Sequence, residues 1–177
     1  MSSQLVVKMF EHPDGSVREA AYSLCGKYRY YLTIRWARHD DHRIVFLLLN
    51  PSTATEEQND PTVERCYRRA RSLGYDSMTI LNLFAYRSTS PSRMKSQEDP
   101  VGPANDIVIG KECSHSNVSA VLCGWGEHGS HHGRAPFVIE KLQALDVNLY
   151  CLKVNASGNP IHPLYVSYET EPVRFDP

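Results

Sequence analysis

Residues 28–36 alternate over nine positions, with Tyr28, Tyr30, Leu32, Ile34 and Trp36 on one side and Arg29, Tyr31, Thr33 and Arg35 on the other. Period two over that length predicts a strand with one face buried. Upstream, the apolar residues 5–10 and residues 17–24 flank the turn pair Asp14-Gly15, and Gly26-Lys27 makes the next turn. The start of the chain therefore reads as an antiparallel β-meander. The pattern changes at Arg43. Residues 44–49 are apolar without a break, as in a strand covered on both faces. Asp60-Pro61 supplies a helix cap and a first-turn proline. Val63, Cys66, Tyr67, Ala70 and Leu73 follow at helical spacing, and Gly74 ends the helix. Residues 78–84, 118–123 and 148–154 predict three more buried strands. Residues 105–113 predict a helix, with a strand at Ile107-Val-Ile109 as the other reading, residues 135–145 predict a helix, and a Pro- and Ser-rich loop fills residues 85–103.

Strands alternating with helices at this spacing imply βαβ units and a parallel sheet. Right-handed crossovers then place helices on both faces. The expected fold is α/β: three α/β/α layers around a four-stranded parallel core sheet, with the N-terminal meander extending or flanking it. A chain of 177 residues suits a single domain, with residues 1–40 as the meander, 43–166 as the α/β core and 167–177 as a tail.

Composition narrows the function. Nineteen Lys+Arg against 20 Asp+Glu give a formal charge of −1, which excludes nucleic-acid binding through bulk charge while leaving room for a local basic groove. No apolar run reaches the length of a membrane span, and no secretory leader is evident, so a cytoplasmic protein without membrane contact is expected. Cys25, Cys66, Cys113, Cys123 and Cys151 are odd in number and never spaced C-x-x-C, which argues against a disulfide scaffold or structural zinc and for small core residues. Walker A, G-x-S-x-G and G-x-G-x-x-G motifs are absent, and no cofactor is expected.

Ligands of open α/β sheets bind beyond the carboxyl ends of the strands. Four polar segments occupy that edge. They carry Asn50 and Ser52; Asn82, Phe84, Tyr86 and Arg87; Trp125, His128 and Arg134; and His162. Asn82 lies inside an apolar strand, where its amide needs a structural partner or a ligand. Arg87 and Arg134 carry the fork that suits phosphate. Arg65, Arg68 and Arg69 share a helix face opposite the apolar stripe, which is either solvated or tracks phosphate. His128, His131 and His132 offer imidazoles for a metal, without helical ligand spacing.

Tyr28-Arg-Tyr30, Leu49-Asn-Pro-Ser-Thr-Ala54, Asn59-Asp-Pro-Thr62, Asn82-Leu-Phe-Ala-Tyr-Arg87, Asp99-Pro-Val-Gly-Pro-Ala-Asn-Asp106, Trp125-Gly126 and His162-Pro-Leu-Tyr165 resemble, in that order, the uncharacterised bacterial and phage family DUF1643, over roughly residues 28–166. A more distant resemblance is to the uracil-DNA glycosylase superfamily. Leu48-Leu-Asn-Pro-Ser52, Ile80-Leu-Asn82 and Asn159-Pro-Ile-His-Pro-Leu164 stand where that superfamily has its motifs. The resemblance implies a glycosylase-like α/β/α fold and hydrolysis of an N-glycosidic bond. In it Asn50 positions water, Asn82 reads the base and His162 stabilises the leaving base. Phe84 or Tyr86 stacks on the base, and Ser52, Arg87 and Arg134 touch phosphate. The expected function is recognition or hydrolysis of a nucleobase or nucleotide, with a nucleotide or nucleic acid as partner. A non-catalytic nucleotide- or nucleic-acid-binding module is the alternative. A metal-assisted hydrolase of small molecules on the His128, His131 and His132 loop is another. Catalysis and oligomeric state stay open.

Overall fold

The computed structural model describes residues 4–177. The turn chemistry of the meander is local. Gly15 takes φ 85°, and Asp14 accepts from the Ser16 N–H at 2.8 Å and the Ser16 hydroxyl at 2.6 Å. This closes the hairpin of β1 (Leu5–Glu11) and β2 (Val17–Ser23), and β2 pairs antiparallel with β3 (Arg29–Arg35). Beyond β3 come β4 (Arg43–Leu48), α1 (Pro61–Ser72), β5 (Ser77–Asn82), α2 (Pro91–Lys95), α3 (Asn105–Cys113), β6 (Val118–Cys123), α4 (Arg134–Gln143), β7 (Leu149–Cys151) and β8 (Val173–Arg174). Short 3₁₀ turns cover Glu127–Gly133 and Pro163–Tyr165.

All eight strands join one mixed sheet in the order β1-β2-β3-β5-β4-β6-β7-β8. Strand β4 pairs in parallel with β5 and β6, and β6 with β7. The pairings β1–β2, β2–β3, β3–β5 and β7–β8 are antiparallel, and they outnumber the parallel ones. The sheet is thus a mixed one of eight strands, in which the expected parallel strands are only the middle and antiparallel pairings prevail. The physical reason is edge pairing. The open edge of β5 is taken by β3, from Leu32 against Ile80 to Arg35 against Ser77, so the meander continues the sheet. At the other edge, residues of the expected tail form β8 against β7.

Helices cover the core strands on both sides. Val63, Cys66, Tyr67 and Ala70 of α1 pack with Ile44, Phe46, Met78 and Ile80 on one face. Val108 and Ile109 of α3 and Val138 and Leu142 of α4 pack with Val45, Leu47, Leu81 and Val121 on the other. Double coverage is why β4 and β5 are buried throughout. The α1 start follows its sequence signals, with the Asp60 carboxylate accepting from the Val63 N–H at 2.9 Å and Pro61 in the first turn. Cys66, Cys113, Cys123 and Cys151 are buried and Cys25 is exposed. Among the described residues, no helix is long and apolar enough to cross a membrane.

The prediction of a half-buried β3 fails for two reasons. First, Arg29, Tyr30, Leu32, Thr33 and Ile34 are all buried. Second, the pairing steps from Ala21–Tyr31 to Tyr22–Arg29, leaving Tyr30 as an extra residue. This β-bulge breaks the alternation. Tyr30 joins the α3/α4 face, while Leu32 and Ile34 stay on the α1 face. Arg29 is re-aimed beside Leu48, Val63 and Ile80, which belong to the α1 face.

Candidate functional site

The in-register ends of β4 and β5 place Leu48 opposite Asn82, and Asn50 lies two residues beyond Leu48. Period two then sends Leu48 and Asn50, like Ile80 and Asn82, to the α1 side. There Asn50, Ser52, Asn82 and His162 line one cavity of about 40 Å³, together with Arg29, Asp60 and Thr62. That size admits a few water molecules and not a whole heterocycle.

Each wall is fixed by its own bonds. The Asn50 amide nitrogen donates to the Ser88 carbonyl at 2.8 Å and the Pro51 carbonyl at 3.2 Å, which leaves its Oδ1 as the end available to a ligand. Asp60 receives the Val63 N–H on Oδ1 and the Ala54 N–H, at 3.2 Å, on Oδ2. Arg29 is 1% exposed; its Nη1 donates to the Ala54 carbonyl at 2.7 Å, and its Nε has no partner among the described residues. Burial draws the Arg29 guanidinium down to about 10, against the favourable charge of Asp60. Asn82 is 2% exposed, and its Nδ2 likewise has no partner among the described residues. Its backbone is held from behind, since the Asn105 amide donates to the carbonyls of Asn82 and Leu83, both at 3.0 Å.

His162 reaches the cavity from the loop after β7. Its Nδ1 accepts from the Leu164 N–H at 3.3 Å, which puts the proton of a neutral ring on Nε2. The strap that carries it is clamped to α1. Arg69, 1% exposed, donates to the carbonyls of Val166, Ser167 and Thr170 at 2.7–3.0 Å, and Arg65 donates to that of Val166 at 2.6 Å. The Arg65 guanidinium also lies 3.8 Å from the centre of the Tyr168 ring. Of the arginine face read from the sequence, only Arg68 is left on the surface, paired with Glu64. Close packing at Gly124 seats the same strap on β6, where an added Cβ would lie 2.6 Å from Pro163 Cδ. Gly124→Ala is therefore expected to cost about 1–3 kcal/mol by overpacking, read as a lower urea midpoint. An unchanged midpoint would contradict this contact.

Burial lowers the His162 imidazole below its ordinary 6.5, with Asp60 opposing the shift. Between the lowered value and about 6.5 the unfolded chain binds a proton that the native ring refuses, so stability rises with pH through that window and falls on acidification. His131 is lowered too, by burial and then by His132 and Lys95, so it contributes a slope of the same sign. His162→Gln is expected to flatten the dependence of the urea midpoint on pH from about 5 to 7, with His131→Gln as the comparison. Parallel curves for wild type and His162→Gln would refute it.

Several predicted site residues lie elsewhere. Phe84 is 1% exposed and Trp125 2%, both in the core on the α3/α4 side, so neither ring can stack on a ligand in the cavity. Trp125 packs on Phe175, and an added Cβ at Gly129 would fall 2.0 Å from its Cδ1. Arg134 is buried, with its Nε on the Leu83 carbonyl at 2.7 Å and its Nη2 2.5 Å from Asp106, so the expected phosphate contact is corrected to a structural one. His128 is exposed and shares a hydrogen bond with Lys95 at 3.0 Å. His131 and His132 lie ring to ring at 3.9 Å. Among the described residues no group of three or more His, Cys, Asp or Glu side chains is placed to hold a metal ion. Tyr86 and Arg87 line a wider neighbouring cleft, to which Ser52 also contributes.

The alternation rule missed Arg29 because of the bulge, and the capping signal absorbed Asp60. What could have marked Arg29 was a lone arginine between two tyrosines in a strand otherwise destined for burial. No curated protein matches the chain. Residues 29–164 match the model of a family described as protein of unknown function (DUF1643), with no activity attached to it. That match covers most of the chain, and the protein belongs to the DUF1643 family.

Proposed function

We propose that the cavity at the carboxyl ends of β4 and β5 recognises the polar edge of a nucleobase or nucleotide. The observation that carries this reading is the Asn82 amide. It is buried, unpartnered, and set in the wall of a cavity shared with Asn50, Arg29, Asp60 and His162. A buried donor without a partner costs about 1–3 kcal/mol, which ligand binding recovers. The donors converging here are Asn82 Nδ2, Arg29 Nε and His162 Nε2; the acceptors are Asn50 Oδ1 and the Asp60 carboxylate. A base edge presents both kinds of group. Because the cavity is too small for the ring, the edge alone inserts, or the His162 strap moves outward to admit more.

The likeness to uracil-DNA glycosylases adds a hydrolytic version. In that version Asn50 Oδ1 orients a water, Asn82 holds the base, and the His162 Nε2 proton faces the oxygen that gains charge. A thermal-shift screen of nucleobases, nucleosides, nucleotides and modified DNA, followed by product analysis, tests both versions. Binding that Asn82→Ala weakens by more than about tenfold supports recognition. Release of free base by wild type and not by Asn50→Ala supports hydrolysis. A panel in which nothing binds, or binds regardless of Asn82, removes the reading.

A further inference from the structure

We infer that the wider cleft beside the cavity is a phosphate site, so that the ligand of this protein is a phosphorylated one. The cleft has a volume of about 420 Å³ and is lined by Gly26, Lys27, Ser52, Thr53, Tyr86, Arg87, Ser88, Thr89 and Arg93. Lys27, Arg87 and Arg93 supply positive charge, and among the described residues no carboxylate lines it. In a chain whose acids slightly outnumber its bases, that is a local concentration of one sign.

The walls are tied together. The Arg87 N–H donates to the Lys27 carbonyl at 3.0 Å, and its Nη1 donates to the Gly26 carbonyl at 3.3 Å. The Arg87 guanidinium lies 5.3 Å from the Tyr22 ring centre, and the Tyr22 hydroxyl donates to the buried Glu56 at 2.6 Å. Across the cleft, the Ser88 N–H donates to the Pro51 carbonyl at 2.8 Å, and Asn50 donates to the Ser88 carbonyl. The loops after β4 and β5 are therefore one unit, and Asn50 is a stitch between cleft and cavity. The Ser88 hydroxyl is engaged by Ser90, which leaves Ser52, Thr53, Thr89 and Tyr86 as the other hydroxyl-bearing residues of the lining. Cations with hydroxyls suit a phosphate ester, and the nearest acids, Glu56 and Glu57, line the adjoining space on the other side of Arg87.

Ser52 lines both spaces, so a phosphate in the cleft and a base edge in the cavity can belong to one molecule. This second half rests on the proposed base recognition; the anion site itself does not. The shared chemistry is a phosphate mono- or diester, carried either by a free nucleotide or by a strand.

Calorimetric titration of the full chain tests this with inorganic phosphate, pyrophosphate, a nucleoside, its 5′-monophosphate and a short single-stranded oligonucleotide. The variants are Lys27→Glu and Arg93→Glu, both at exposed positions. Phosphate is expected to bind wild type, and each reversal to weaken it by about tenfold or more. The monophosphate is expected to bind at least about tenfold tighter than the nucleoside, with affinity falling as salt rises. An oligonucleotide that outcompetes the monophosphate identifies a strand as the source, and the reverse identifies a free nucleotide. Equal affinity for nucleoside and monophosphate, together with reversals that change nothing, overturns the inference while leaving base recognition standing. Phosphate binding that the reversals abolish, with nucleotide affinity untouched by Asn82→Ala, keeps the anion site and removes base recognition. No binding by any probe overturns both.

Discussion

Replacing Asn82 with leucine is expected to stabilise the free protein by about 1–2 kcal/mol and to abolish ligand binding. The two effects have one cause. The Asn82 side chain is almost fully buried, among Leu48, Ile80 and Val63, and its amide N–H groups meet no acceptor among the described residues. Leucine keeps the shape and removes the unpaired donor, and substitutions of that kind stabilise when the polar group serves binding rather than folding. For a domain of this size the gain appears as a rise of about 2–8 °C in Tm. A fall in Tm of similar size would show that the amide is a structural partner, and the binding reading would lose its main support. Asn105→Leu is the contrast. Its amide holds the carbonyls of Asn82 and Leu83, so its loss is expected to destabilise by about 1–3 kcal/mol.

Arg69→Met is expected to lower stability by about 3–5 kcal/mol, the largest loss among the arginines of α1. The buried guanidinium satisfies carbonyls of Val166, Ser167 and Thr170, and methionine fills similar space with no donor. Arg68→Ala is the internal control. Arg68 is exposed, and its pair with Glu64 is screened by solvent and contributes little. The consequence reaches the cavity, because the clamped carbonyls begin four residues after His162. A loosened strap readmits water to the imidazole, so the proton NMR titration of His162 in Arg69→Met is expected to move up toward the ordinary histidine value. Stability loss with an unchanged His162 titration would show that the clamp holds the tail without positioning the ring.

Local signals were legible where one element decides them. The hairpin at Asp14-Gly15, the capped start of α1, the continuous apolar runs of β4 and β5 and the 3.6 period of α1 all followed from residue order. The positions of Asn50 and Asn82 followed too, since residues two apart along parallel neighbours must share a face. Phe84, Trp125 and Arg134 were misread for a common reason. Phe84 and Trp125 lie just beyond strand ends and Arg134 opens α4, places where nothing in the sequence distinguishes a side chain turned to the α1 side from one turned into the core on the α3 and α4 side. Arg69 looked like the solvated face of an amphipathic helix until a distant strap was laid over it.

The sequence by itself determined the central strands and the helices that pack on them, though neither α2 nor β8, and that two asparagines stand at adjacent strand ends. Those properties depend on periods of 2.0 and 3.6 residues and on caps, which are local. Tertiary structure alone decided that β3 completes the sheet beside β5, that a bulge at Tyr30 turns Arg29 into the cavity, and that His162 is brought there on a strap pinned by Arg69. Those depend on the register between segments remote in the chain, and a one-residue slip in register exchanges the two faces of a strand.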